Sequence, residues 1–291
     1  MNKQIMADMM LVFVTVCWGI SYLLMDICLC DMGAFTLNMY RFIGAFAVAF
    51  ILGFPKLKKV SKTTMKYSFF LGIALCVTYI GATYGVMYTS LSNAGFLCAL
   101  AVIFTPILAF IFKGVVPEKK LAFVVIMCTI GIALLTLDEN LSFASGDILC
   151  LMCALAYAVQ MLITETAVRK EDVNAFHLGV FQLFFTGLFC GILAFLIEEP
   201  QLPSNGTVWM SVLFLMIFCT GAAFIIQAIA QQYTSATRVG VIFTLEPVFA
   251  GIVAYFLAGE VLLPRAYGGA VLLIFSLLLM EIDLKKFIKK P

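Results

Sequence analysis

Charge is what this sequence has least of. Only 12% of its 291 residues are Asp, Glu, Lys or Arg, against 64% hydrophobic, and the mean hydropathy is +1.10. That scarcity excludes a soluble globule, which keeps a large polar skin. A single histidine, His177, leaves nothing to build a histidine-based metal or hydrolytic centre. No Gly-Lys-Ser/Thr phosphate loop is present, which excludes ATP-driven chemistry within the chain. No His-His, Asp-Asp or Ser-Lys arrangement stands ready for an intramembrane enzyme. No cofactor, metal or nucleic-acid partner is therefore expected.

What is abundant is uninterrupted apolar sequence. A bilayer core about 30 Å thick needs roughly 20 residues of helix per crossing. Stretches such as Leu121–Leu137 do not alternate, so helices are expected rather than the short strands of a barrel. The expected spans are Ala7–Met25, Phe35–Phe54, Tyr67–Tyr88, Asn93–Phe112, Leu121–Leu137, Gly146–Glu165, Ala175–Ile197, Val208–Gln231, Ala236–Leu257 and Pro264–Ile282. The fold class is an all-α membrane protein of ten transmembrane helices. Asp8 sits early in the first span and no small-residue cleavage site follows, so that span is expected to be retained. The ten cysteines lie mostly inside the spans, where a small hydrophobic packing role is expected of them.

Apart from Lys3 before the first span, Arg41 and Arg238 within spans and Arg265 near the other face, lysine and arginine fall in alternate connections. The second carries Lys56, Lys58, Lys59, Lys62 and Lys66; the fourth Lys113, Lys119 and Lys120; the sixth Arg169 and Lys170; the tail Lys285, Lys286, Lys289 and Lys290. The first, fifth and seventh hold Asp26, Asp31, Asp138, Glu139, Glu198 and Glu199 with no basic residue. The positive-inside rule then places both termini in the cytoplasm of a cell with the chain in its inner membrane.

The chain also repeats itself. Tyr88-Thr89-Ser90, Gly95, Thr105-Pro106 and Gly114 recur as Tyr233-Thr234-Ser235, Gly240, Glu246-Pro247 and Gly259. Spans four and nine are thus equivalent, each with a proline near its middle. Five helices per half is an odd number, so the halves, residues 1–140 and 141–291, run in opposite directions through the membrane, as in transporters built from inverted repeats with interrupted helices.

On these residues the sequence resembles the ten-helix EamA-type branch of the drug/metabolite transporter superfamily. The resemblance rests on Cys17-Trp18-Gly19, Tyr40-Arg41-Phe42, Ala156-Tyr157 and the run from Leu245-Glu246-Pro247 to Gly259-Glu260. It implies carriage of amino acids, amines or other metabolites by alternating access around a central cavity lined by both halves.

Polar residues at bilayer depth are costly and mark candidate sites. Stripes on four spans point to one polar space, with Trp18 and Tyr22, Tyr79 and Thr83, Tyr157 and Gln160, and Phe224 and Gln227 as candidate solute contacts. Rings would hold an apolar part and the amides a polar end. Glu246 reads either as a carboxylate that binds a proton or a solute amine, or as a structural or gating glutamate that hydrogen-bonds a neighbouring helix and holds the break together, with Pro247 loosening the turn behind it; protons are the candidate coupling ion. Pro106 and Arg41 complete the coupling or gating set. Arg41 is expected to snorkel outward or to pair with Asp26 or Asp31; the lesser alternative is direct contact with an anionic solute. Near the basic face, Asp8 and Glu165 could meet Arg238 or Arg169 in a gate. The chain therefore reads as a secondary transporter, not an enzyme, of a neutral amino acid or related amphipathic metabolite, exported or imported. The partners are that solute and the lipid. The alternatives are a channel or an intramembrane enzyme.

Overall fold

A computed structural model of the chain describes residues 3–57, 59–89, 96–136, 145–258 and 263–281. Several features read from the sequence lie outside them: Ser90, Gly95, Asp138, Glu139, Gly259-Glu260, the tail lysines and the boundary between the two halves.

The described residues form α1 (Lys3–Leu29), α2 (Ala34–Gly53), α3 (Lys62–Tyr88), α4 (Phe96–Lys113), α5 (Lys119–Thr136), α6 (Ser145–Val168), α7 (Ala175–Ile197), α8 (Gly206–Ala230), α9 (Ala236–Leu257) and α10 (Pro264–Glu281). Among them nine are long and apolar enough to cross a bilayer, and the shorter Pro264–Met280 is apolar too. Their starts follow from sequence. Ser61, Asn174, Asn205 and Ser235 each cap a helix N-terminus by accepting backbone N–H bonds. Gly114 ends α4 at φ 64°, a left-handed position that suits glycine.

The packing carries the repeat. α3 lies against α6 and α7, as α8 lies against α1 and α2; α4 lies against α6, as α9 lies against α1. α2–α7, α4–α9 and α5–α10 pair with each other. Exchanging α1–α5 for α6–α10 therefore returns the same main contacts. Close approach needs small residues: a Cβ on Gly81 of α3 would come within 2.6 Å of the Leu149 carbonyl of α6.

α2 and α7 are tied at both ends. At one, Glu198 accepts from Phe35 N (3.0 Å), Thr36 N (2.8 Å) and Thr36 Oγ1 (2.7 Å), capping α2. At the other, the His177 ring meets the Lys56 carbonyl at 2.7 Å, so the buried histidine is a helix tie. In the loops, Ser204 donates its N–H and hydroxyl to Asp31, which holds that carboxyl below its ordinary range.

The two mid-span prolines behave differently. α9 breaks at Thr244-Leu245, just before Glu246-Pro247. α4 does not break at Pro106, contrary to the expectation of matched interruptions. Its helix runs from Ala101 to Lys113 through the proline, and the irregular turn falls earlier, at Leu100. The Thr105 hydroxyl folds back onto the Ala101 carbonyl (2.7 Å), so this turn stays internally bonded.

Candidate functional site

The centre of the bundle is a floor of rings. Trp18 of α1 touches Tyr157 of α6 (centroids 6.1 Å), Phe224 of α8 (5.8 Å) and Phe243 of α9 (4.8 Å). Tyr157 stacks on Phe243 at 6.0 Å, and Tyr79 of α3 stands edge-on to Phe224 at 6.2 Å. Phe42 of α2 closes the group against Tyr79 and Phe224. Trp18 and Tyr157 occupy equivalent places in α1 and α6, as do Tyr79 and Phe224 in α3 and α8. The floor is thus where the two halves meet, and in this conformation the rings fill the middle of the expected cavity.

A local irregularity in α8 holds the floor. Leu215–Ala222 is a π-helix, which widens the turn. Its Cys219 carbonyl accepts the Trp18 indole N–H at 2.8 Å. The Cys219 thiol bonds the Cys17 carbonyl at 3.2 Å, pinning α1 a second time.

At the edge of the floor Tyr22 donates to Glu246 Oε1 at 2.8 Å. Tyr22 is 37% exposed although it lies well inside α1. The Tyr157 hydroxyl is enclosed and has no partner among the described residues. Thr83 of α3 lies a little away, 3.5 Å from the Asn38 amide.

Beneath the floor the glutamines are committed to one another. Gln227 donates to Gln160 (2.9 Å) and Gln231 (3.2 Å), Gln160 to Gln182 (3.2 Å), Gln182 to the Phe224 carbonyl (3.3 Å) and Gln231 to the Met161 carbonyl (2.9 Å). All four are 0% exposed. Gln160 and Gln227 were expected to face the solute. Here they lock α6, α7 and α8 together, while the enclosed Gln227 Oε1 meets no donor among the described residues.

Beyond that layer come ion pairs. Arg238 of α9 grips Asp8 of α1 (Nη2 to Oδ2 2.9 Å, Nε to Oδ2 3.2 Å), and Glu165 of α6 receives Lys113 of α4 (2.8 Å) and Arg169 (2.7 Å). Asp8 precedes Trp18 by ten residues of α1, about 15 Å of helix rise. Rings, amides and ion pairs therefore form successive layers toward the lysine-rich end.

Arg41 departs from expectation. It neither snorkels nor pairs with Asp26 or Asp31, being 1% exposed. Its Nε donates to Thr220 Oγ1 (3.1 Å), its Nη1 to Met25 Sδ (3.2 Å), and its guanidinium lies over the Tyr79 ring at 5.2 Å. Asp31 is taken by Ser204 instead.

Two surface hollows lie elsewhere. One is an apolar groove between α2 and α7, lined by Met39, Ile43, Gly187 and Phe195 among others; the second is a polar dip by Asp31 and Glu198. Neither reaches the rings. Among the described residues no cluster of metal-ligating side chains occurs.

Comparison with known proteins accords with this architecture. A model of the EamA-like transporter family matches residues 5–137 and again residues 144–282. The chain belongs to the EamA-like transporter family. Two proteins of Archaeoglobus fulgidus, each described as an uncharacterized transporter, are similar: one is 29% identical over 96% of this chain and 87% of its own length, another 25% identical over 89% and 91%. A solved crystal structure superposes with a TM-score of 0.79 at 16% identity, covering 98% of this chain and 99% of the other. That likeness shows the fold. This transporter is thus a multi-pass membrane protein whose partners are lipid and a small-molecule solute.

The sequence points to Trp18, Tyr22, Arg41, Tyr79, Tyr157, Gln160, Phe224, Gln227 and Glu246 among the central residues but not to Phe42, Phe243, Gln182 or the Cys219 carbonyl. A signal for Gln182 was present: Ala34-Phe35-x-Leu37 recurs as Ala175-Phe176-x-Leu178, which aligns Arg41 with Gln182.

Proposed function

We propose that this transporter carries a neutral amino acid or related amphipathic metabolite by alternating access between its two halves, residues 1–140 and 141–291. The observation that carries the reading is the Tyr22–Glu246 contact at the exposed edge of an aromatic floor whose other side is sealed. Stacking on Trp18, Tyr79, Tyr157 and Phe224 suits an apolar side chain. Glu246 suits an ammonium group, and proton binding there would couple transport to a pH gradient. With both termini in the cytoplasm of an inner membrane, the sealed side is the cytoplasmic one, and the solute site opens outward.

Alternating access then asks the ion pairs α1–α9 and α4–α6, which join the two halves, to part together, while the α2–α7 pair, tied at both ends, stays as scaffold. The break before Glu246-Pro247 gives α9 a hinge at the level of the site. Pro106 sits in an unbroken helix, which fits a packing role in α4.

Counterflow in proteoliposomes tests this. Labelled neutral amino acids should accumulate transiently against unlabelled internal amino acid. Channel behaviour, meaning flux without counterflow, overturns the carrier reading. Glu246→Gln should abolish acceleration by a proton gradient, and unchanged pH-dependent transport would remove Glu246 from coupling.

A further inference from the structure

We infer that Arg41 is the group that binds a carboxylate of the solute. The inference rests on reading the aromatic centre as the solute site, and names one end of the solute.

A guanidinium carries five N–H donors and cannot discharge. On Arg41, one goes to Thr220 and one to the Met25 sulfur, a weak acceptor. The remaining three meet no acceptor among the described residues, and no carboxylate there stands within ion-pair distance. The outer-face acids close to α2 in the fold are engaged elsewhere, Asp31 by Ser204 and Glu198 by the start of α2. A buried cation with a free donor fork selects a planar anion able to accept two parallel bonds, which is a carboxylate. A phosphate would call for further cations, and among the described residues none lies beside Arg41.

The other half shows that the fold itself does not require this charge. Gln182, at the equivalent place in α7, is neutral and engaged at both ends of its amide. The arginine is thus a feature of one half, on the face where Tyr79 presents its ring. The Tyr79 hydroxyl lies within electrostatic reach of both Arg41 and Glu246, so a carboxylate on Arg41 leaves the rest of the solute over the aromatic floor. Thr220, which orients the guanidinium through Nε, is a positioning residue.

The test uses the full chain in detergent with Trp209→Phe, which leaves Trp18 as the reporter tryptophan. Fluorescence and thermal unfolding are read with L-leucine and L-phenylalanine, with the amines lacking their carboxylate (isoamylamine, phenethylamine), and with the acids lacking their amine (4-methylpentanoate, 3-phenylpropionate). Carboxylate-bearing probes should bind at least tenfold more tightly than the amines. Arg41→Gln, which copies the other half and should fold, should lose that preference, while Arg41→Lys retains part of it and Thr220→Val weakens it. Equal binding of amines and amino acids, an unchanged preference in Arg41→Gln, or no binding of any carboxylate-bearing probe overturns the assignment. If only the amine-free acids bind, and depend on Arg41, the assignment stands and the amino-acid reading falls.

Discussion

The α1–α9 and α4–α6 contacts are built from equivalent helices, yet they differ in their middles and agree in their locked ends. In the middle, Tyr22 and Glu246 join by a polar bond at an exposed edge. The matching places in the other contact hold Met161 and Thr105, both buried. At the lysine-rich end each contact is closed by an ion pair, Asp8–Arg238 in one and Glu165–Lys113 in the other. Inversion adds a second asymmetry. The acids recur at the opposite ends, Asp8 as Asp147 and Glu165 as Asp26, but the places matching Arg238 and Lys113 are Asn93 and Ala258. Asp147 instead accepts from Thr89. Ion pairs thus close the lysine-rich side of the bundle, and the candidate site lies where the two halves are least alike.

Breaking the latch should have the largest effect. Removing one partner of an enclosed ion pair costs about 3–5 kcal/mol, because the remaining charge is stranded. Arg238→Ala should lower the unfolding temperature strongly and expose the lysine-rich end to impermeant thiol reagents at a cysteine introduced at Thr15. The exchange Asp8→Arg with Arg238→Asp should restore both readings. Equal protection in Arg238→Ala would mean that the glutamine layer alone seals that end.

The middle is tested next. Making the second half resemble the first, Glu246→Thr should abolish net uptake, while Thr105→Glu in that background should not restore it, since Met161 offers no donor where Tyr22 stands. Recovery of transport would show that the halves are interchangeable at this level. Tyr157→Phe should do the opposite to stability. It removes an enclosed hydroxyl without a partner, so unfolding should be harder by about 1–3 kcal/mol, while solute binding read by thermal shift weakens. A variant both less stable and fully active would give that hydroxyl a purely structural role.

Much of the fold was legible because lipid imposes simple rules. Continuous apolar runs and basic connections set the helices, and the α7 limits, Ala175–Ile197, match those expected from sequence. The Glu-Pro break and the Asp8–Arg238 contact were legible for the same reason: a proline lacks its donor, and charges at the edge of lipid seek each other. The remainder depends on three-dimensional partners. Nothing in Leu215–Ala222 announces a π-helix, and its Cys219 carbonyl meets the Trp18 indole only in the folded bundle. Gln160 and Gln227 look like solute contacts on a helical stripe, yet Gln182 from α7 and Gln231 from the next turn engage their amides, leaving only the Gln227 Oε1 without a partner among the described residues. Pro106 and Pro247 look alike in sequence, but Thr105 folds back within its own helix whereas Glu246 reaches across to Tyr22. Arg41 was misplaced because its depth in the bundle is set by α1, α3 and α8 together.

The smallest effect separates the two partners of Glu165. Arg169 stands four residues on, just past the end of α6, with its side chain 63% exposed, whereas Lys113 crosses from α4 and is 27% exposed. The two distances are nearly the same, 2.7 and 2.8 Å, so distance alone would rank them equal. Solvent screening and side-chain entropy do not: an exposed i,i+4 pair contributes about 0.3–0.5 kcal/mol. Arg169→Ala should shift thermal unfolding within that range and leave transport rates unchanged, because it ties α6 only to itself. Lys113→Ala removes a bond between helices that part in the proposed cycle, so it should cost more stability and speed the opening of the latched end. A double-mutant cycle of each with Glu165→Gln measures the two couplings directly. If the Arg169 coupling proves the larger, the α4–α6 end is held by the helix terminus rather than by a bridge between halves, and the latch reduces to the α1–α9 side.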